Sequence, residues 1–234
     1  MKVQVIIGGH VDDDDDRYAA RQWVAGWYAA RGLMPLVCVS DSRPWAKADA
    51  YNAAVGLTDA DVVVLADGDS FVAAEALQWA IGQAAEVGWA APFSRVNRLD
   101  ADATAATLDA DPATTEVPPQ ISLAQEVHDC LPGGGIVAMR TDLAMACGPF
   151  DPRFRGWGGE DFALGNAART LSGNYAAQRP GPLWHLWHPP QPRTTELDEA
   201  TNRLAMRYRI AKFQPEAMRH LIEEGRQPCS PSAS

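Results

Sequence analysis

Residues 60–70 read ADVVVLADGDS, and this stretch decides the fold. Val62 to Leu65 form an uncharged, largely β-branched run between Asp61 and Asp67, the pattern of a strand buried on both faces. Asp67-Gly68-Asp69 follows directly. In open α/β sheets, ligands collect at the carboxyl ends of strands. Two carboxylates one residue apart, with a flexible glycine between, can hold a divalent cation and the sugar edge of a nucleotide. Hard cations take such oxygen ligands and share their shell with phosphates. DxD strings also arise as ordinary Asp-Gly turns, so the weight lies in the strand that precedes this one.

Working outward, Val3 to Ile7 is a second β-branched run, ended by Gly8-Gly9. A helix is predicted over 17–31, because Ala20, Trp23, Val24, Trp27 and Tyr28 recur at helical spacing and Gly32 stops the pattern. Leu36 to Val39 reads as a strand, Trp45 to Val55 as a helix, and an alanine-rich helix runs to about Glu86. Strand, helix, strand, helix, strand implies an α/β fold, a mostly parallel Rossmann-like sheet flanked by helices, with right-handed crossovers. Residues 100–120, rich in Asp, Ala, Thr and Pro, read as an exposed, partly helical connection. Ile136 to Met139 is a short strand, with Thr141 as N-cap of a helix through Cys147. Further helices are expected over 161–172, 198–213 and 215–224, and a last strand over Leu183 to Trp187. A disordered tail is expected after Gly225.

The 234 residues suit one large domain or two small ones. With 20 Lys and Arg against 30 Asp and Glu, the net charge is −10, which excludes a nonspecific nucleic-acid binder. At 47% hydrophobic residues the chain can bury a core. No apolar run approaches a membrane span, the start does not read as a signal peptide, and the four cysteines include no CxxC pair. A reduced cytoplasmic protein is expected. Residues 1–190 hold 24 of the 30 acids but only 13 of the 20 bases. The near-neutral remainder is expected to supply Arg193, Arg203 and Arg207 to meet phosphate.

Two further strings carry chemistry. FRGWGGED, residues 154–161, sets three glycines around a tryptophan, a flat face of the kind sugars stack on. Glu160 and Asp161 then open a helix, where the dipole favours the anion and a carboxylate can accept a proton from a hydroxyl. The bland alternative is a Gly-rich turn with an acidic cap. WHLWHPP, residues 184–190, puts His185 and His188 three apart at the end of a predicted strand. Imidazoles are common transition-metal ligands, although a lone histidine is more often packed or solvated. The five aspartates 12–16 read as a solvated helix start.

PWAKADAYNAAV, ADGDS, PGGGIVAM, FDPRFRGWGGEDFAL and WHLWHPP occur in that order. In this the chain resembles GT-A fold glycosyltransferases with a galactosyltransferase-type C-terminal module, including small bacterial and phage members. The resemblance covers Val3 to about residue 213, as one GT-A domain with a nucleotide-binding half (1–95), an acceptor and catalytic half (96–190) and a lid loop and helix (191–213). Residues 214–234 are left as a C-terminal helix and tail. The resemblance implies that Asp67 lies near the ribose or donor sugar and that Asp69 ligates the metal with His185, His188 or both. It places Lys47 and Asn52 by the nucleotide, Asp41 at the base and Gly133, Gly134 and Gly135 beside the donor sugar. Trp157 and Glu160 match acceptor-site positions, and Asp161 matches the catalytic base of inverting members. Two departures stand out: Phe162 follows the Glu-Asp pair where relatives often continue with acids, and Gly8-Gly9-His10 stands where many relatives carry an arginine at the first strand's end, so that either Arg17 substitutes or the nucleotide contact differs.

The expectation is therefore an inverting, metal-dependent transfer from a UDP-sugar to an acceptor hydroxyl. Mn²⁺ is the expected metal, with Mg²⁺ as the alternative, and Arg193 closes over the diphosphate. The acceptor is open among a glycan, a protein, a lipid carrier, a small molecule and a modified DNA base. The alternatives are a non-catalytic sugar-nucleotide-binding protein, a nucleotidyltransferase and a metal-dependent hydrolase. A nucleotidyltransferase would normally carry a basic Gly-rich loop after the first strand, where this chain runs into acids. A hydrolase has no use for GWGGED.

Overall fold

The computed structural model describes residues 1–11, 15–124, 128–129, 132–156, 158–189 and 195–226. The first half alternates as expected: β1 (Val3–His10), α1 (Asp15–Ala30), β2 (Pro35–Ser40), α2 (Lys47–Leu57) and β3 (Val62–Asp67). The next elements are β4 (Ser70–Phe71), α3 (Ala74–Val87), β5 (Trp89–Ala91), β6 (Arg95–Arg98), α4 (Ala101–Leu108) and β7 (His128–Asp129). Then come β8 (Ile136–Arg140), α5 (Thr141–Cys147), α6 (Glu160–Ser172), β9 (Ala177–Gln178), β10 (Pro182–His185), α7 (Thr195–Ala211) and α8 (Pro215–Arg226). The expected tail, residues 227–234, lies outside the described residues.

The main sheet has the order β2-β1-β3-β8-β5-β9. β1 pairs in parallel with β2 and β3, and β5 with β9, while β8 runs antiparallel to both its neighbours. The sheet is thus mainly parallel, as expected, with one reversed strand in its middle. Its central strands are apolar on both faces because both are covered. Val5, Ile7, Val62, Val64 and Ala66 face one cluster with α1 and α3, where Trp27 and Tyr28 are fully buried. Ile6, Val63 and Leu65 face the other, with α2, α5, α6, α7 and α8. α8 belongs to that second cluster through Met218, Leu221 and Ile222. Each such side chain contributes about 1.5–3 kcal/mol by leaving water.

A second sheet has the order β4-β10-β6-β7; the strand expected over Leu183 to Trp187 is its β10, while its other described strands, two to four residues long, were not legible in the sequence. β4 begins immediately after Asp69, and β10 lies antiparallel to it with His185 opposite Ser70.

Two local expectations change. Thr141 is the first residue of α5, not its N-cap; Arg140 flanks the helix and offers no side-chain cap. The connection over 109–117 is exposed but pinned. Trp23 and Trp27 donate indole N–H bonds to Ala110 O and Thr115 O, and Arg31 binds the Pro112 and Thr115 carbonyls and Glu116. These bonds fasten the segment along α1.

Candidate active site

A cleft of about 410 Å³ opens at the carboxyl ends of β1 and β3. It is lined by the β1 end, Asp67-Gly68-Asp69, Gly134-Gly135, the N-terminus of α6, and His185 and His188. The sequence folds this way because β3 stops at Asp67, where its backbone N–H donates to Gly135 O at 2.7 Å and joins the DGD turn to the glycine loop.

Asp69, His185 and His188 form one cluster, with one donor atom of each within 4.8 Å of the others. The β4–β10 register builds it, since Leu186 N–H donates to Asp69 O at 2.8 Å beside the His185–Ser70 pair. His188 Nε2 lies 3.1 Å from Asp69 Oδ2, and His185 Nε2 lies 3.7 Å from Oδ1. Ser70 Oγ donates to Asp69 Oδ1 at 3.0 Å. Burial opposes the Asp69 charge, but His185, His188 and Ser70 outweigh it and hold the carboxyl far below its ordinary range. Burial pulls His185 down, against the attraction of Asp69. Burial also opposes the charged form of His188, yet the hydrogen bond and charge of Asp69 leave it raised.

The second cluster joins Lys47, Asp67 and Asp161. Lys47 is the first residue of α2, and its buried Nζ lies 2.8 Å from Asp67 Oδ1 and 2.7 Å from Asp161 Oδ1. Loss of hydration disfavours its charge, but Asp161, Asp67 and Glu160 raise it well above the ordinary lysine range. Asp161 sits in the first turn of α6 with 40% of its side chain open to the cleft. Desolvation pushes its carboxyl up to about 7; Lys47 pulls it back, and Glu160 and Asp67 add to the rise. Glu160 is buried, and its Oε2 has no hydrogen-bond partner.

Glycines permit this packing. A Cβ at Gly134 would clash with the Asp161 carboxylate, and one at Gly133 with the Asp161 carbonyl. Gly133 and Gly135 have φ of 143° and 68°, and only glycine adopts the former readily. Gly8 and Gly9 leave room for the Tyr51 ring and for the Arg21 guanidinium, which reaches the end of β1 from α1.

Of the residues singled out in sequence, the structure brings together Lys47, Asp67, Asp69, Gly133 to Gly135, Glu160, Asp161, His185 and His188. Asp41 is exposed just past β2 and is not in the cleft lining. Asn52 is turned to the Phe150 backbone, donating to its carbonyl at 2.7 Å and accepting from its N–H at 3.1 Å. It stitches α2 to the loop before α6. Trp157 and Arg193 lie outside the described residues. Trp184 is core, opposite Phe71 in the first cluster, because alternation along β10 sends Leu183 and His185 to the cleft and Trp184 away from it. Arg203 pairs with Glu199 and Arg207 with Glu224, and neither lines the cleft, which corrects the expectation that they meet phosphate. Among the described residues, the cleft's Lys and Arg side chains are Arg17, Arg21, Lys47 and Arg98. Arg17 had been singled out; Arg21 had a weak signal, one turn further along α1. Arg98 had none, since β6 was not legible.

No protein-family model matches the chain, and no curated protein sequence does. Among solved structures it is similar to glucosyl-3-phosphoglycerate synthase from Mycobacterium tuberculosis, in complex with Mn²⁺, UDP-glucose and phosphoglyceric acid. That alignment has 15% identity, covers 91% of this chain and 79% of that one, and has a TM-score of 0.50. The same enzyme with Mn²⁺, UDP and phosphoglyceric acid aligns at 14% identity, over 91% and 78% of the two chains, with a TM-score of 0.50. The catalytic domain of Drosophila β1,4-galactosyltransferase 7 with xylobiose aligns at 12% identity, over 86% and 79%, with a TM-score of 0.48. The mainly parallel sheet with its reversed strand and flanking helices is a GT-A glycosyltransferase fold.

Proposed function

We propose that this chain is a metal-dependent glycosyltransferase that moves a sugar from a UDP-sugar to an acceptor hydroxyl with inversion. The observation that carries the reading is convergence. Asp67, Asp69, His185, His188, Lys47 and Asp161 come from four separate stretches of sequence and meet in one cleft at the strand ends of a GT-A fold. The synthase aligned above was crystallised with Mn²⁺ and UDP-glucose, which supports the same donor class here.

Asp69, His185 and His188 fit a divalent ion by the chemistry of their donors. One carboxylate and two imidazoles suit Mn²⁺ better than Mg²⁺, which prefers oxygen alone. His188 Nδ1 lies 2.9 Å from the Pro189 carbonyl, and an N–H there leaves the Nε2 lone pair for a metal. When bound, the ion supplies positive charge against a diphosphate leaving group. Arg17, Arg21 and Arg98 add fixed positive charge along the same wall of an otherwise acidic cleft. Asp67 faces the ribose or donor sugar. The Asp161 carboxylate takes the proton of the acceptor hydroxyl as that oxygen attacks the anomeric carbon from the face opposite the diphosphate. Glu160, beside Asp161 in the cleft lining, orients the acceptor. We also propose that Trp157 binds the acceptor or sugar ring and Arg193 the diphosphate.

The test is Mn²⁺-dependent release of UDP from a panel of UDP-sugars, with Asp69→Ala as control. Turnover that needs Mn²⁺ and falls at least a hundredfold in Asp69→Ala, about 3 kcal/mol of transition-state stabilisation, is expected. Full activity in Asp69→Ala would overturn the metal assignment, and no release from any donor would leave a binding protein.

A further inference from the structure

Lys47 reaches two carboxylates that the reaction uses differently. Its Nζ lies 2.7 Å from Asp161 Oδ1 and 2.8 Å from Asp67 Oδ1, and only 8% of its side chain is exposed. The ring of Phe150 lies 5.3 Å from the ammonium and closes another side. Asp161 is therefore clamped. One oxygen is held by Lys47, the other rests where a Cβ at Gly134 would clash, and the open part of the side chain faces the cleft.

The charges around this clamp do not balance without the lysine. Asp67, Asp69, Glu160 and Asp161 line the cleft together, and Lys47 is the cation within ion-pairing distance of Asp161 among the described residues. The groups acting on Asp161 are Lys47 from α2, Asp67 from the β3 end and Glu160 from α6 itself. Buried Tyr51, one turn along α2, donates its hydroxyl to Ala66 O at 2.6 Å. Two of these neighbours repel an Asp161 carboxylate, and one attracts it. Take the lysine away and a half-buried carboxylate faces two acids with no counter-charge, a setting in which the proton stays on.

We infer that Lys47 is a positioning residue for Asp161, fixing its carboxylate toward the cleft and preserving its charge, with Asp67 as the competing partner that shares the ammonium. This inference rests on the reading of Asp161 as the base. It differs from a role in binding the nucleotide, since a nucleotide contact would act on donor affinity and this role acts on the proton-accepting form of Asp161.

The test pairs a titration of the full chain, free of metal and donor, with a rate profile. In protein labelled with [¹³C]aspartate, Asp161→Asn assigns the Asp161 carboxyl signal. Lys47→Met should move its midpoint upward by about one to three pH units. Asp67→Asn, which frees the ammonium for Asp161 and removes a repelling charge, should move it downward. Lys47→Arg, which keeps the charge, should hold it near the wild-type position. In Mn²⁺-dependent transfer between pH 5.5 and 8.5, the acidic limb of kcat should follow the same order. At pH 7, Lys47→Met should lose about fivefold or more in kcat, with KM for the UDP-sugar little changed. An unmoved midpoint in both Lys47→Met and Asp67→Asn would overturn the inference, and the second variant decides if the first does not fold. A Lys47→Met that raises KM and leaves the limb in place would overturn it in favour of nucleotide contact. Full transfer by Asp161→Asn would overturn the base reading itself, separately from these arms.

Discussion

Gly134 shows how one residue type at one position constrains the chemistry. Any side chain there would meet the Asp161 carboxylate, and the neighbouring Gly133 sits against the same residue's carbonyl. Gly134→Ala should therefore displace Asp161 while sparing the Asp69, His185 and His188 cluster. Transfer should fall by roughly tenfold to a hundredfold, the scale of misplacing a catalytic group by about 1 Å. Mn²⁺ affinity, measured by calorimetry, should not change, and a matching loss of Mn²⁺ affinity would refute the separation. Asp161 also sets a pH dependence. Its carboxyl is raised to about 7, so the base form, and kcat with it, should rise with pH through that region. The sign for stability is opposite. A carboxyl that holds its proton more tightly when folded favours the fold at low pH, and that contribution is lost as pH climbs from the ordinary aspartate range towards 7. A pH–rate profile falling across that interval would contradict the assignment. In sequence, PGGGIVAM and GWGGED were legible as separate glycine-rich strings. That one exists to accommodate a side chain of the other was not, because β8, α5 and the loop before α6 separate them along the chain.

At the scale of elements, the loop before α6 is held by a network the motifs did not announce. Asp151, its carboxylate 2% exposed, takes Arg153 at 2.6 Å and the Tyr208 hydroxyl of α7 at 2.9 Å, while Arg153 reaches Glu224 of α8 at 3.1 Å. With the Asn52–Phe150 pair of bonds from α2, this ties the approach to GWGGED to three helices. Asp151→Ala leaves the buried Tyr208 hydroxyl without its acceptor and the half-buried Arg153 with only Glu224 and the Leu221 carbonyl. It should cost about 3 kcal/mol and lower Tm by roughly 6–12 °C in a chain of this size. Circular dichroism melting checks this, and a melting point within about 2 °C of wild type would mean the network is not what holds the loop. Asn52 illustrates why the sequence misassigned a contact. K-x-x-x-x-N fixes two residues on one helix, but five positions apart on α2 they point differently, Lys47 into the cleft and Asn52 to the Phe150 backbone.

For the whole molecule, the decisive feature is that two sheets meet at Asp67-Gly68-Asp69. The main sheet delivers Asp67 and the small sheet carries Asp69 towards His185. A ligand that binds Asp69, His185 and His188 only as the folded chain brings them together should stabilise the entire fold. Saturating Mn²⁺, at about a hundredfold over its Kd, should add about 2.7 kcal/mol and raise Tm of the wild type. Asp69→Ala and His185→Ala should lose that rise, read by differential scanning calorimetry. An equal rise in either variant would place the ion elsewhere. The charge distribution has a related reading at this scale. The net −10 is concentrated in residues 1–190, yet the cations lining the cleft, Arg17, Arg21, Lys47 and Arg98, come from that same acidic stretch. No described helix is long and apolar enough to cross a membrane.

The sequence by itself determined the central strands, the helices that cover them and the DGD turn at a strand end. Those features follow from periodicity and local sterics, which act over a few residues. It also marked the acids and histidines that meet in the cleft. Only the tertiary structure decided who touches whom: that β8 runs against its neighbours, that β10 pairs with β4 and brings His185 to Asp69, and that Lys47 divides itself between Asp67 and Asp161. The physical reason is that very short strands and buried ion pairs gain their stability from partners far along the chain. Their residues carry no local pattern until the folded core places those partners within reach.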